Sequence, residues 1–131
     1  MLRRTFTGLL LATALITPAL AEDVTIKYMT FSAAPNYLKE LDATIAAFEA
    51  EHPGIKVTYE TAAWDAYFTK LQTVVAAKQA PDAFELNFEN FVTYAEKGAL
   101  ADLTPLITAD TGFSTAVYNP TALAAFAQDG K

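Results

Sequence analysis

Val74–Asn90 reads V-V-A-A-K-Q-A-P-D-A-F-E-L-N-F-E-N, and the fold turns on how this stretch is parsed. Pro81 has no amide hydrogen and biases its predecessor away from helical angles, so a helix arriving from Val74 must end by Ala80. Ala83–Phe88 then reads as a strand apolar enough to be buried, with Asn87, Glu89 and Asn90 at its far end. In open α/β sheets ligands are met just beyond the carboxyl ends of the strands. The stretch therefore predicts a helix, a turn, a strand and one rim of a binding site.

The flanking sequence repeats the unit. Upstream, Trp64–Lys78 has helical spacing and is expected to bury Phe68, Leu71 and Val75. Before it, Ile55–Glu60 (I-K-V-T-Y-E) alternates as a strand, with Ile55, Val57 and Tyr59 inward. Further back, Pro35 opens a helix whose apolar stripe is Leu38, Leu41, Ile45 and Phe48, and His52-Pro53-Gly54 closes it. The first strand is Val24–Phe31, with Val24, Ile26 and Tyr28 on one face and Met29 and Phe31 on the other. Downstream, Asn90 is expected to cap a short helix that Gly98 ends, and Thr104-Pro105 and Asn119-Pro120 each read as a helix cap followed by Pro at the first helical position. Asp129-Gly130 is a turn signal that normally leads to another strand.

Strands alternating with helices through short connections specify an α/β fold, with a mostly parallel sheet, right-handed crossovers and flanking helices. Three strands leave an open edge. Together with the turn signal at Asp129-Gly130, this predicts a chain that begins something longer.

The N-terminus reads as a secretory signal: Arg3 and Arg4, the apolar run Leu9–Ile16, Pro18, and a small-x-small site at Ala19-Leu20-Ala21. L-R-R-T-F is only a partial twin-arginine pattern, so ordinary secretion is expected. Without Met1–Ala21, seven lysines face fifteen acidic residues, a net charge of −8. The lysines are scattered, which argues against nucleic-acid or anionic-lipid partners, since both need clustered cations. The sequence has no cysteine, which removes disulfides, thiolate chemistry and the acylated cysteine of an exported lipoprotein.

Catalytic patterns are missing. His52 is the single histidine and sits in a helix-ending turn, there is no G-x-S-x-G elbow, and the glycines are too dispersed to cradle phosphate. Glu85 and Glu89 on one strand would stand about 13 Å apart, beyond the separation that glycosidases use. No cofactor or metal is called for. Aromatics do gather near the predicted strand ends: Phe31, Tyr59, Trp64, Phe88 and Phe91. Sugars stack on aromatic faces and need convergent amides and carboxylates. Core packing is the expectation for Phe31, Tyr59, Phe88 and Phe91, whereas Trp64 follows a T-A-A break at the ligand edge and is the better contact.

The ordered elements V-T-I-K-Y-M-T-F, H-P-G-I-K-V, W-D-A-Y-F-T-K-L, A-P-D-A-F-E-L-N and G-A-L-A-D-L-T-P-L resemble the start of an extracellular solute-binding protein of the sugar-binding family that serves ABC importers. The resemblance covers Asp23–Lys131, with Gln79 standing where that family often has Gly. It implies the N-terminal part of lobe 1 of a type II periplasmic binding fold, incomplete as given, over residues 22–131. It implies a mono- or oligosaccharide ligand, an ABC permease as partner, a monomeric full-length protein and a periplasmic location without a lipid anchor. Carried onto this sequence, it marks Phe31, Ser32, Trp64, Asp65, Asn87 and Glu89 as ligand-binding. The alternatives are a secreted carbohydrate-active enzyme or accessory domain, and a remnant that binds nothing.

Overall fold

The computed structural model describes residues 23–131, so the expected leader Met1–Ala21 lies outside the described residues. The elements are β1 (Val24–Thr30), α1 (Pro35–Glu51), β2 (Ile55–Thr61), α2 (Trp64–Ala76), β3 (Ala83–Phe84), α3 (Phe88–Glu96), α4 (Thr104–Ala109), a single 3₁₀ turn (Thr115–Val117) and α5 (Pro120–Ala125). The sheet has the order β2-β1-β3, parallel throughout, with Val24 opposite Ile55 and Tyr28 opposite Ala83. This order reverses direction at β1, so α1 and α2 fall on opposite faces, as two right-handed crossovers of opposite sense require. The switch point lies between the carboxyl ends of β1 and β3.

The two faces are unequal. On the α2 face Met29, Tyr67, Leu71 and Tyr94 are buried, with Phe31, Phe68, Phe84, Leu86 and Leu100 packed against them. On the α1 face no helix residue is fully buried. A groove of about 240 Å³ remains there between Leu41, Ile45 and Phe48 of α1 and Ile26, Tyr28 and Val57 of the sheet. The alanines of α1 keep the helix but supply little volume to fill that gap.

Three expectations are corrected. First, the strand expected at Ala83–Phe88 is only two residues long. The chain leaves the ladder because Asn87 is the N-cap of α3: its Oδ1 accepts from the Asn90 amide at 3.1 Å. Asn87 is therefore the cap and Asn90 its donor, the reverse of the expected assignment. Second, α2 ends at Ala76 rather than Lys78, upstream of any influence of Pro81. Lys78 takes φ 56°, its amide bonds Val75 O at 3.0 Å, and the Gln79 amide bonds Val74 O at 2.8 Å, which is a Schellman termination. Third, Thr104 does not cap α4; its own amide is held at 2.9 Å by Asp102.

Pro81-Asp82 also supports the ladder. The Asp82 carboxylate accepts from the Lys27 amide at 2.8 Å, substituting for a strand that has not yet begun. On the other edge Glu49 does the same for Val57 at 2.8 Å while pairing with Lys56 at 2.9 Å. Both carboxylates satisfy strand amides that would otherwise template edge pairing.

Candidate functional site

The carboxyl ends of the three strands bring Phe31, Thr61 and Glu85 to one edge. Phe31 lies on the Met29 side of β1, so its ring faces α2. There it meets Trp64 edge-on at 4.9 Å, Tyr67 at 5.3 Å and Phe68 at 6.1 Å, while Trp64 meets Phe68 at 5.1 Å. Trp64 is the first residue of α2 and is 50% exposed, whereas Tyr67, one turn on, is wholly buried. The result is an aromatic wall fixed at its base and open at Trp64. Ser32 adjoins it, with its amide on Thr30 Oγ1 at 3.0 Å. Asp65 is exposed in the first turn of α2.

Glu85 joins the strands beneath this wall. Phe84 pairs with Met29 and faces the core, so Glu85 points to the α1 side. Its Oε1 accepts from the Tyr28 hydroxyl at 2.7 Å and the Tyr37 hydroxyl at 3.0 Å. Its Oε2 accepts from Thr30 Oγ1 at 2.8 Å and the Phe31 amide at 3.2 Å. Four donors fill the acceptor capacity of a carboxylate. Burial first, and then the bonds to Glu85 and Tyr37, hold the Tyr28 hydroxyl far above the usual phenol range. The Tyr67 hydroxyl donates to Met29 O at 3.0 Å and lies 2.9 Å from Glu85 O and 3.1 Å from the Glu85 amide; burial pushes it up to about 12.

Phe31, Ser32, Trp64 and Asp65 thus come together on consecutive strand-to-helix turns. Asn87 and Glu89 sit on the β3 side, both committed to α3. Asn87 Oδ1 is taken by the Asn90 amide and also by Asn90 Nδ2 at 2.6 Å. Glu89 is exposed in the helix's first turn, where its charge favours the dipole. Phe88, expected in the core, is 53% exposed and edge-on to Phe126 at 6.3 Å. Phe91 also meets Phe126, at 5.3 Å. Tyr59 is half-buried and bonds Asp42 at 2.9 Å. His52 is the C-cap of α1, stacked on Phe48 at 4.4 Å, as its position in the sequence suggests. Glu85, Tyr37 and Tyr67 are the contributors that sequence reading missed. Alternation alone places Glu85 and Thr30 on one face, but only the register brings them together.

The sheet is parallel, its order reverses at β1, and an aromatic wall stands at its carboxyl edge; solved periplasmic solute-binding proteins share this fold. Residues 33–129 match the model of the bacterial extracellular solute-binding protein family, and the chain belongs to that family. It is similar to the ABC substrate-binding protein Lmo0181 of Listeria monocytogenes, solved in complex with cycloalternan. That match has 49% identity and a TM-score of 0.77, over 83% of this chain and 27% of that one. It is also similar to a family 1 extracellular solute-binding protein of Alicyclobacillus acidocaldarius, with 30% identity and a TM-score of 0.70, over 83% of this chain and 26% of that one. An uncharacterized lipoprotein of Streptomyces antibioticus is 29% identical over 86 residues, which is 66% of this chain and 19% of the relative. The chain therefore spans about a quarter, or less, of the length of these relatives.

Proposed function

We propose that this chain supplies one wall of the carbohydrate site of an ABC importer's substrate-binding component, capturing a mono- or oligosaccharide for a membrane permease. The observation that carries the reading is the half-exposed Trp64, set edge-on to Phe31 at the carboxyl edge of the sheet. A ring fixed by T-shaped contacts to Phe31 and Phe68 and still half exposed offers apolar surface to the C–H groups of a sugar. Ser32 and Asp65 beside it offer hydrogen-bonding groups. The cycloalternan complex of the 49%-identical Listeria protein supports a neutral saccharide as ligand. Binding without chemistry is also supported by Glu85, whose oxygens are all engaged and so are not free to act as a general acid or base.

Asn87 and Glu89 complete the rim in this proposal only through the exposed edge of Glu89, since Asn87 is spent on capping. In this proposal the protein is exported through its leader and works as a monomer outside the cytoplasmic membrane.

Trp64 is the single tryptophan of the sequence, so intrinsic fluorescence reports the site directly. Titration of the purified chain with cycloalternan is expected to change Trp64 emission saturably. Trp64→Ala, followed calorimetrically, is expected to weaken binding by on the order of tenfold or more, as for a stacking anchor. No response of wild-type emission and no heat at millimolar sugar would count against this function. Release of reducing ends from the sugar would favour the enzyme alternative.

A further inference from the structure

We propose that Glu85 is the positioning residue of the ligand edge. Its carboxylate sets the backbone at Phe31 and Ser32 and, through that backbone, the angle of the Phe31–Trp64 wall. The proposal rests on the binding role above for its consequence, but its geometry stands alone.

Two routes run from Glu85 to the β1–α1 turn. One is direct, from the Phe31 amide to Oε2 at 3.2 Å. The other passes through Thr30, which is wholly buried: Oγ1 donates to Oε2 at 2.8 Å and accepts from the Ser32 amide at 3.0 Å. Consecutive amides of the turn thus end on one carboxylate oxygen. The other oxygen holds Tyr37 in the first turn of α1 and Tyr28 on β1. Thr30 O also accepts from the Ala62 amide at 3.3 Å, so the turn before Trp64 is tied to the same point. One side chain just beyond β3 therefore indexes β1, α1 and the β2–α2 turn against each other.

Glutamine keeps one oxygen for Thr30 and Phe31, while its amide group donates to tyrosine hydroxyls that can rotate to accept. Leucine keeps none of these bonds. The test compares wild type, Glu85→Leu, Glu85→Gln, Thr30→Val and Gly98→Ala, each confirmed folded by circular dichroism and read by Trp64 emission and acrylamide quenching without ligand. Glu85→Leu is expected to shift emission to the red and increase quenching. Thr30→Val, which cuts only the relay, is expected to move both the same way by less. Glu85→Gln is expected to restore most of the wild-type signature. Gly98→Ala, which loosens a distant helix end, is expected to leave the signature alone while lowering the melting temperature.

Where Glu85→Leu does not fold, Thr30→Val decides. Wild-type emission and quenching in folded Thr30→Val and Glu85→Leu would overturn the proposal. With cycloalternan added, Glu85→Leu is expected to bind on the order of tenfold more weakly, as for loss of about one hydrogen bond to a charged group. Absence of wild-type binding would remove the proposed function and leave the ligand-free comparison to judge Glu85.

Discussion

At the residue scale, polar side chains satisfy backbone groups where the sheet cannot complete itself. Tyr67 is the clearest case. Its hydroxyl is buried and meets Met29 O, Glu85 O and the Glu85 amide, so it bridges β1 to the residue that follows β3. Tyr67→Phe would leave those backbone groups without this partner, and chemical denaturation is expected to show a loss of about 1–3 kcal/mol. Its raised pKa carries a sign. The protonated phenol is favoured by the fold, so its contribution is full below the ordinary value of 10.0 and is lost as pH rises through about 12. Tyr28 acts in the same direction. Glu49 works at the opposite end of the scale. Its bond to Lys56, and then the one to the Val57 amide, depress its pKa below 4.5. Its contribution is present above that value and lost as pH falls through the depressed one. Glu49→Gln is expected to flatten the acid limb of a melting-temperature profile and, because Glu49 also holds the Lys56 pKa up, to flatten part of the alkaline limb as well.

At the element scale, two helices end by the same device with different residues at the left-handed position. Past the last residue of α3, Glu96, the left-handed position is Gly98, with φ 65° and the Ala99 amide on Tyr94 O at 3.0 Å. Past the last residue of α2, Ala76, it is Lys78, with φ 56°. A β-carbon is costly at such angles, so Lys78→Gly is expected to stabilise the chain by roughly 0.5–1 kcal/mol after the added freedom of the unfolded glycine is counted. Gly98→Ala, where a β-carbon would meet nothing within 4 Å, is expected to destabilise by about 1 kcal/mol through conformation alone. Equal melting temperatures across these variants would show that the cap angles carry no such cost. The glycine that the family resemblance places at Gln79 sits one residue beyond the position that needs it. The order and type of the first six elements were legible from periodicity and punctuation, because strands with period two and a helix opened by Pro35 announce themselves locally. The length of β3 was not. Leu86 and Phe88 look like strand residues, and what ends the strand is competition from Asn87, whose side chain offers the backbone a helix start. Trp64 and Phe31 were legible as residues of the carboxyl edge of the sheet because they follow strand ends. Glu85 was not, since its partners Tyr28, Thr30 and Tyr37 lie 48 to 57 residues away.

For the whole molecule, the distribution of burial sets how it opens. The interior is one cluster around Met29, Tyr67, Leu71 and Tyr94, all contributed by β1, α2 and α3. Residues 103–126 add no buried side chain: Leu103, Leu106, Phe113, Val117, Tyr118, Leu123 and Phe126 are all exposed, Val117 to 79%. Their helices are one to two turns long and are held by local caps such as Asn119, whose Oδ1 accepts from the Thr121 amide at 2.9 Å. Helices this short are marginal unless tertiary packing supports them. The rings of Phe88 and Phe91 against Phe126 are the aromatic link back to the sheet domain. Opening free energies should therefore fall into two tiers. In native-state hydrogen exchange, amides of β1 and α2 are expected to show the highest protection and to lose it together with global unfolding. Amides of α4 and α5 should exchange at least ~10²-fold faster and respond little to low denaturant, as expected for local rather than global opening. Phe126→Ala should speed exchange in α5 while leaving β1 almost untouched, because it removes the aromatic link without entering the interior. Equal protection across β1, α2 and α5, collapsing together on Phe126→Ala, would instead show that the C-terminal helices are cooperative with the sheet and that the exposed apolar side chains contribute to one folding unit.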